Sequence, residues 1–113
     1  MPDCLFCKIV SKEIDADVVH ESSEVLAFKD INPAAPTHVL VIPKLHLTSA
    51  NELGSEQADL LGHLFDAVNA VVAWADLAPG WRLVTNVGAD GGQTVGHLHF
   101  HVMGGRRMDW PPG

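Results

Sequence analysis

Three histidines, His97, His99 and His101, stand at every second position of one short hydrophobic stretch, GHLHFHVMGG. In a strand, alternate side chains share a face, so the imidazoles would line one side while Leu98, Phe100 and Val102 cover the other. A rise of about 3.3 Å per residue puts neighbouring imidazoles about 6.6 Å apart at Cα and the outer pair about 13 Å apart. One metal ion does not span all three at that separation. Two adjacent rings could chelate a metal, or all three could line a phosphate-sized groove, so nucleophilic catalysis and metal binding both stay open. The glycine-rich stretch ADGGQTVG runs directly into this segment, and Gly91–Gly92 would let the backbone approach a bound group closely.

A second constellation is Cys4-x-x-Cys7, which holds both cysteines of the 113-residue chain. It is half a structural metal site, which needs four ligands in a tetrahedron. A redox dithiol is the alternative, but that motif belongs at a strand–helix junction, which the position ahead of KIV does not offer. MPDCLFCKIV lacks a basic region followed by a long apolar run, so no signal peptide is expected, and a structural disulfide is disfavoured. The most apolar stretches, THVLVIP and AVNAVVAWA, are too short to span a bilayer. A cytoplasmic protein with no membrane partner is the expectation. The net charge of −7 argues against nucleic-acid binding, which needs a basic face. A small anionic ligand remains compatible, because local N–H groups and histidines can hold one.

The rest of the chain must position these residues. DVVHES and EVLAFKDI read as two strands around a turn at Ser22–Glu24. NPAAP is a rigid loop feeding THVLVIPK, a β-branched run that Pro43 ends. From Ser55, a plausible N-cap, Leu60, Leu61, Leu64, Phe65, Val68, Val71 and Val72 recur at helical spacing through SEQADLLGHLFDAVNAVVAWADL, which Pro79–Gly80 stops. WRLVTNV is a fourth strand and HLHFHVM a fifth. Length predicts a single domain over residues 1–113. Several strands, one main helix and hairpin connections predict an α+β fold with an antiparallel sheet. His20 and His63 have no motif around them and are expected at the surface.

HLHFHV resembles the signature of the histidine triad (HIT) superfamily of nucleotide hydrolases and transferases. The resemblance extends through LFCKIVSKEI, VLAFKDINPAAPTHVLVIPKLH and NVGADGGQTVGHLHFHVMGGRRMDWPPG, and it is closest to the Hint branch. It implies a five-stranded antiparallel sheet with one long helix and a short N-terminal helix. The implied activity is that of an adenosine 5′-monophosphoramidase: hydrolysis of the P–N bond in purine nucleoside 5′-phosphoramidates, conjugates of AMP or GMP with an amine such as lysine. In that chemistry the middle histidine, His99, attacks the α-phosphorus and forms a nucleotidyl-histidine that water then releases. Imidazole, with an ordinary pKa near ~6.5, suits the task as a residue type.

The same resemblance assigns His101 to the phosphate and His38 to support of the triad, with Gly92, Gln93 and Thr94 approaching the phosphate and leaving group. Asp30 would accept from both ribose hydroxyls. Ile31, Phe28, Leu5, Phe6, Ile9 and Leu40 would form the slot for the base, and Asn86 would contact the phosphate or sugar. It also implies a structural zinc held by Cys4, Cys7, His46 and His97, with no cofactor required for catalysis.

A homodimer is implied, in which two sheets join into one of ten strands. The sequence adds support: Ala67, Val68, Ala70, Val71, Val72, Ala73 and Trp74 are nearly continuously apolar, more than one buried stripe needs. The edge of the fourth strand also needs cover. Trp110, fixed by Pro111 and Pro112, would reach the partner's active site. The competing functions are dinucleoside polyphosphate hydrolysis, disfavoured by the terminal WPPG, and a nucleotide-binding interaction protein whose hydrolysis is incidental. A catalytic zinc hydrolase is weaker, for want of a third ligand and a general-base glutamate together.

Overall fold

The computed structural model describes residues 3–113. A short helix α1 (Leu5–Val10) is followed by β1 (Val18–Glu21), β2 (Val25–Lys29) and β3 (Thr37–Pro43), the long helix α2 (Ala58–Trp74), then β4 (Trp81–Val84) and β5 (Phe100–Gly104). The strands form one antiparallel sheet in the order β1-β2-β3-β5-β4. This is the expected α+β arrangement of five strands, one long helix and a short N-terminal helix. The β1–β2 turn forms at Ser22, whose hydroxyl accepts from the N–H groups of Glu24 and Val25.

Each face of the sheet is covered, which explains why β2 and β3 read as unbroken apolar runs. Val25, Ala27, Val39, Val41, Phe100 and Val102 pack with Leu64, Ala67, Val68 and Val71 of α2. On the opposite face Leu26, Phe28, Leu40 and Ile42 pack with Phe6 and Ile9 of α1. That second face carries the histidines. Burial of these side chains supplies the main drive for folding, about 1.5–3 kcal/mol for each large apolar group.

Element boundaries depart from the sequence reading in four places. Ser55 does not cap α2: residues Ser55–Gln57 form a 3-10 turn, and the Gln57 side chain reaches back to accept from the Gly54 N–H at 3.0 Å. Helix α2 ends well before Pro79–Gly80. Asp76 takes a left-handed φ of 58°, and Leu77 N–H bonds back to Val72 O at 3.0 Å, a Schellman closure that tucks Leu77 into the core. β4 stops at Val84, where Thr85 turns its hydroxyl to the His99 carbonyl at 2.9 Å. β5 begins at Phe100, not at His97, because the ring of His97 is drawn aside (below) and Leu98 N–H bonds to Leu47 O.

Phe65 and Trp74 on α2 remain 43% and 53% exposed, and Trp81 on the edge strand β4 is also exposed. No helix among the described residues is long and apolar enough to cross a membrane.

Candidate functional site

The alternation expected for the histidine segment survives the loss of regular strand. Leu98 is buried with Phe100 and Val102 on the α2 side, while Phe6 packs edge-on against both His97 and His99 on the other. The rings of His99 and His101 sit 5.0 Å apart between centroids. His99 Nδ1 lies 2.7 Å from the His97 carbonyl. A carbonyl only accepts, so Nδ1 carries the hydrogen and Nε2 of the neutral ring keeps its lone pair.

His97 serves a different cluster. Its Nε2–H donates to Pro43 O at 2.8 Å, which leaves Nδ1 unprotonated. That Nδ1 lies 3.3 Å from Cys4 Sγ, 3.5 Å from Cys7 Sγ and 3.1 Å from His46 Nδ1. Cys7 Sγ is 3.3 Å from His46 Nδ1, and all four donor atoms fall within 4.8 Å of one another. Metal–nitrogen and metal–sulfur bonds of about 2.1 and 2.3 Å in a tetrahedron require N···N and N···S edges of about 3.4 and 3.6 Å. The four residues therefore fit a tetrahedral metal. Burial, reinforced by the neighbouring Cys4, pushes the Cys7 thiol above its ordinary pKa, so loading a metal there must displace a proton.

His38, on β3 beside β5, stands directly behind His101. The Ala34 N–H donates to His38 Nδ1 at 2.9 Å, which fixes the ring's hydrogen on Nε2. From there it points to His101 Nδ1 at 2.8 Å, with Asp30 Oδ2 3.4 Å away. His101 consequently accepts at Nδ1 and presents Nε2–H as a donor. Asp30, His38 and His101 are also close enough to share a cation, but the 2.8 Å N···N separation is that of a hydrogen bond, shorter than the ligand edge above. Burial first, then the nearby His99 and His38, push the His101 pKa down to about 4. Burial likewise lowers His38 and His97.

A cavity of about 510 Å³ opens beside these rings, within the range of small-molecule sites. Of the residues expected around a nucleotide, Leu5, Phe6, Ile9, Phe28, Asp30, Ile31, Leu40, Thr94, His99 and His101 line it. Asn86, Gly92, Gln93 and Trp110 do not. Gln93 braces its own loop, donating to Thr48 O and Val95 O and accepting from Gly88 N–H. Asn86 donates to Gly91 O at 2.7 Å. Gly91 is required there, since a Cβ would collide with the Val87 carbonyl. Trp110 is 82% exposed, with its tail held by Arg82 Nη2 donating to Asp109 O. Sequence reasoning missed Ile14, Asp15, Ala16 and Asp17, which close the cavity from the α1–β1 connection; this polar loop carries no motif. His63 is exposed as expected, whereas His20 is half-buried.

The lowered His101 pKa has a consequence for stability. Between pH 6.5 and about 4 the unfolded chain binds a proton on this ring and the folded chain does not, so the folded state loses ground as pH falls through that window. Urea unfolding should show stability dropping from pH 6.5 toward 4.5, His101 contributing up to about 1.4 kcal/mol per pH unit. His101→Gln should flatten the slope by that share; parallel curves for the two proteins would contradict the reading.

The HIT domain family model matches residues 11–108. A 14 kDa zinc-binding protein from Zea mays is 46% identical over 111 residues, covering 96% of this chain and 87% of its own length. An adenylylsulfatase from Arabidopsis thaliana is also 46% identical over 111 residues, covering 96% of this chain and 76% of that protein. The crystal structure of a HIT family hydrolase from Legionella pneumophila superposes with a TM-score of 0.95 at 46% identity, covering 98% of this chain and all of the other. With matches of this extent across the histidine segment and the sheet that carries it, the chain belongs to the HIT domain family.

Proposed function

We propose that this protein hydrolyses the P–N bond of purine nucleoside 5′-phosphoramidates through a nucleotidyl group carried on His99. The observation that carries this reading is the bond from His99 Nδ1–H to the His97 carbonyl at 2.7 Å, beside a cavity of nucleotide size. It leaves Nε2 as the nucleophilic atom. The apolar walls from Leu5, Phe6, Ile9, Phe28, Ile31 and Leu40 take the base, and the Asp30 carboxylate accepts from the ribose hydroxyls. His101 Nε2–H donates to a phosphoryl oxygen as charge builds there. Nε2 of His99 bonds to phosphorus while the P–N bond breaks with its electron pair on nitrogen, and the amine departs protonated by solvent. Thr94 donates its hydroxyl at the leaving atom. Water then attacks phosphorus and gives its proton to solvent, while the P–Nε2 bond breaks with its electron pair on nitrogen, restoring the imidazole and releasing the nucleoside monophosphate. His99→Ala should lower kcat/KM for adenosine 5′-phosphoramidate by about 10³-fold or more, as expected for a lost nucleophile. Retention of more than about a tenth, a deficit of only ~1.4 kcal/mol, would contradict the assignment.

In the same reading Cys4, Cys7, His46 and His97 hold zinc. Zinc supplies no reaction step here: His97 is fully buried and does not line the cavity. Its chemistry is structural, tying α1 to the histidine segment. Elemental analysis should find about one zinc per chain, and the double substitution Cys4→Ser with Cys7→Ser should remove it and lower Tm. A metal-free wild-type protein, purified without chelator, would count against this.

The active form is a homodimer. The exposed Phe65, Trp74 and Trp81 and the open edge of β4 are covered by a second copy, and Trp110 reaches its site. Sedimentation equilibrium at micromolar concentration should return twice the chain mass; a monomer with full activity would remove the interface.

A further inference from the structure

Cys4 and Cys7 face each other across the first turn of α1, where Cys4 is the N-cap and its Sγ accepts the Cys7 N–H at 3.3 Å. Both sulfurs are among the four donor atoms that lie within 4.8 Å of one another. Cα atoms three residues apart on a helical turn are about 5 Å from each other, inside the span of about 4.4–6.8 Å that a disulfide bridges. Neither cysteine is fully buried, and Cys4 stands with His46 in the wall of an open cavity of about 540 Å³. A small oxidant therefore reaches the pair without unfolding the chain. What the pair encloses is part of the nucleotide wall: Leu5 and Phe6, the two residues between the cysteines, both line the cavity of His99 and His101. Phe6 also packs edge-on against His97 and His99, with ring centroids 5.9 and 5.2 Å away. His97, whose Nδ1 is 3.3 Å from Cys4 Sγ, gives its carbonyl to His99 Nδ1–H.

We propose that Cys4 and Cys7 are also an oxidant-reactive dithiol, and that its closure to a disulfide expels the zinc and turns down catalysis at His99. The inference rests on the zinc and phosphoramidase readings above. The co-reactant class is a hydroperoxide, of which hydrogen peroxide is the simplest. Cys4, at the cavity wall, reacts first: its thiolate Sγ bonds to one peroxide oxygen, the O–O bond breaks, and the departing hydroxide takes a proton from solvent to become water. The Cys7 thiolate Sγ then attacks the sulfur of that Cys4 sulfenic acid. The S–S bond forms, the S–O bond breaks, and the second hydroxide is protonated to water. In sum the two sulfurs lose two electrons, the peroxide gains them, and two protons come from solvent. A disulfide offers no thiolate ligand, so His46 and His97 alone remain, too few to hold a tetrahedral zinc. The His97 ring then keeps a single anchor, Pro43 O, and the turn that carries Leu5 and Phe6 is redrawn around the new bond. Both changes act on His99, one through the His97 carbonyl and one through the Phe6 ring.

The test treats zinc-loaded wild type with hydrogen peroxide. It follows zinc released to a chromogenic chelator, intact mass with and without iodoacetamide, and kcat/KM for adenosine 5′-phosphoramidate. Zinc release should reach about one equivalent per chain, in step with a mass about 2 Da below that of the reduced metal-free chain and loss of both alkylatable thiols. The kcat/KM should fall about tenfold, and dithiothreitol with added zinc should restore it. Thiols that stay alkylatable with zinc retained, after an exposure that oxidises free glutathione, would overturn the dithiol. A disulfide with zinc expelled and turnover unchanged would overturn the link to His99 and leave both parent readings intact. A loss that dithiothreitol and zinc do not reverse would place the damage elsewhere and overturn the regulation. Wild type that binds no zinc would overturn the zinc reading and this inference with it. Zinc-loaded wild type without turnover before oxidation would overturn the phosphoramidase reading and the link to it, while zinc release and mass still decide the dithiol.

Discussion

The bond from His99 Nδ1–H to the carbonyl of His97, 2.7 Å long and buried, is the contact on which the site depends. It decides which nitrogen of His99 is free, and it does so with backbone, which cannot rotate away as a side chain can. The carbonyl itself is held because the His97 ring is anchored twice, by Pro43 O on one nitrogen and the Cys4, Cys7 and His46 cluster on the other. Next along the chain, Leu98 is fixed by its N–H bond to Leu47 O and by burial against α2. Orientation of one imidazole thus draws on both faces of the sheet and on the N-terminal helix.

A similar logic governs His101. Its Nδ1 receives the hydrogen of His38 Nε2, whose own orientation is set by the Ala34 N–H. The donor at the start of this chain is again backbone, from the proline-bounded loop ahead of β3. Burial keeps the ring neutral above pH 4 or so, so the N–H it turns to the cavity belongs to an uncharged imidazole. The two histidines therefore present opposite functions to one cavity, a lone pair from His99 and an N–H from His101, through backbone contacts on opposite sides of the segment.

Much of this was legible in the sequence because it follows from period and composition. The alternation of His97, His99 and His101 with Leu98, Phe100 and Val102 told which side chains share a face, and that holds although the strand starts only at Phe100. The β-branched run of β3 and the apolar recurrence of α2 likewise marked their elements. The four residues of the metal-type cluster come together as the family resemblance implied, though nothing in the spacing of Cys4 and Cys7 points to His46 or His97. What stayed hidden depends on three-dimensional competition for hydrogen bonds. Gln93 spends its amide on its own loop, a 3-10 turn closed by Gln57 on Gly54 N–H takes up Ser55 ahead of α2, and the cavity wall at Asp15–Asp17 comes from a loop without periodicity.

The central claim is that Nε2 of His99 forms a bond to phosphorus. Intact-protein mass spectrometry after a rapid quench with adenosine 5′-phosphoramidate tests it most directly. The account predicts a transient mass increase of one adenylyl group per chain, located by peptide mapping to His99 and absent from His99→Ala. Product released in the first turnover with no adduct at any quench time, or an adduct on a residue other than His99, would contradict it.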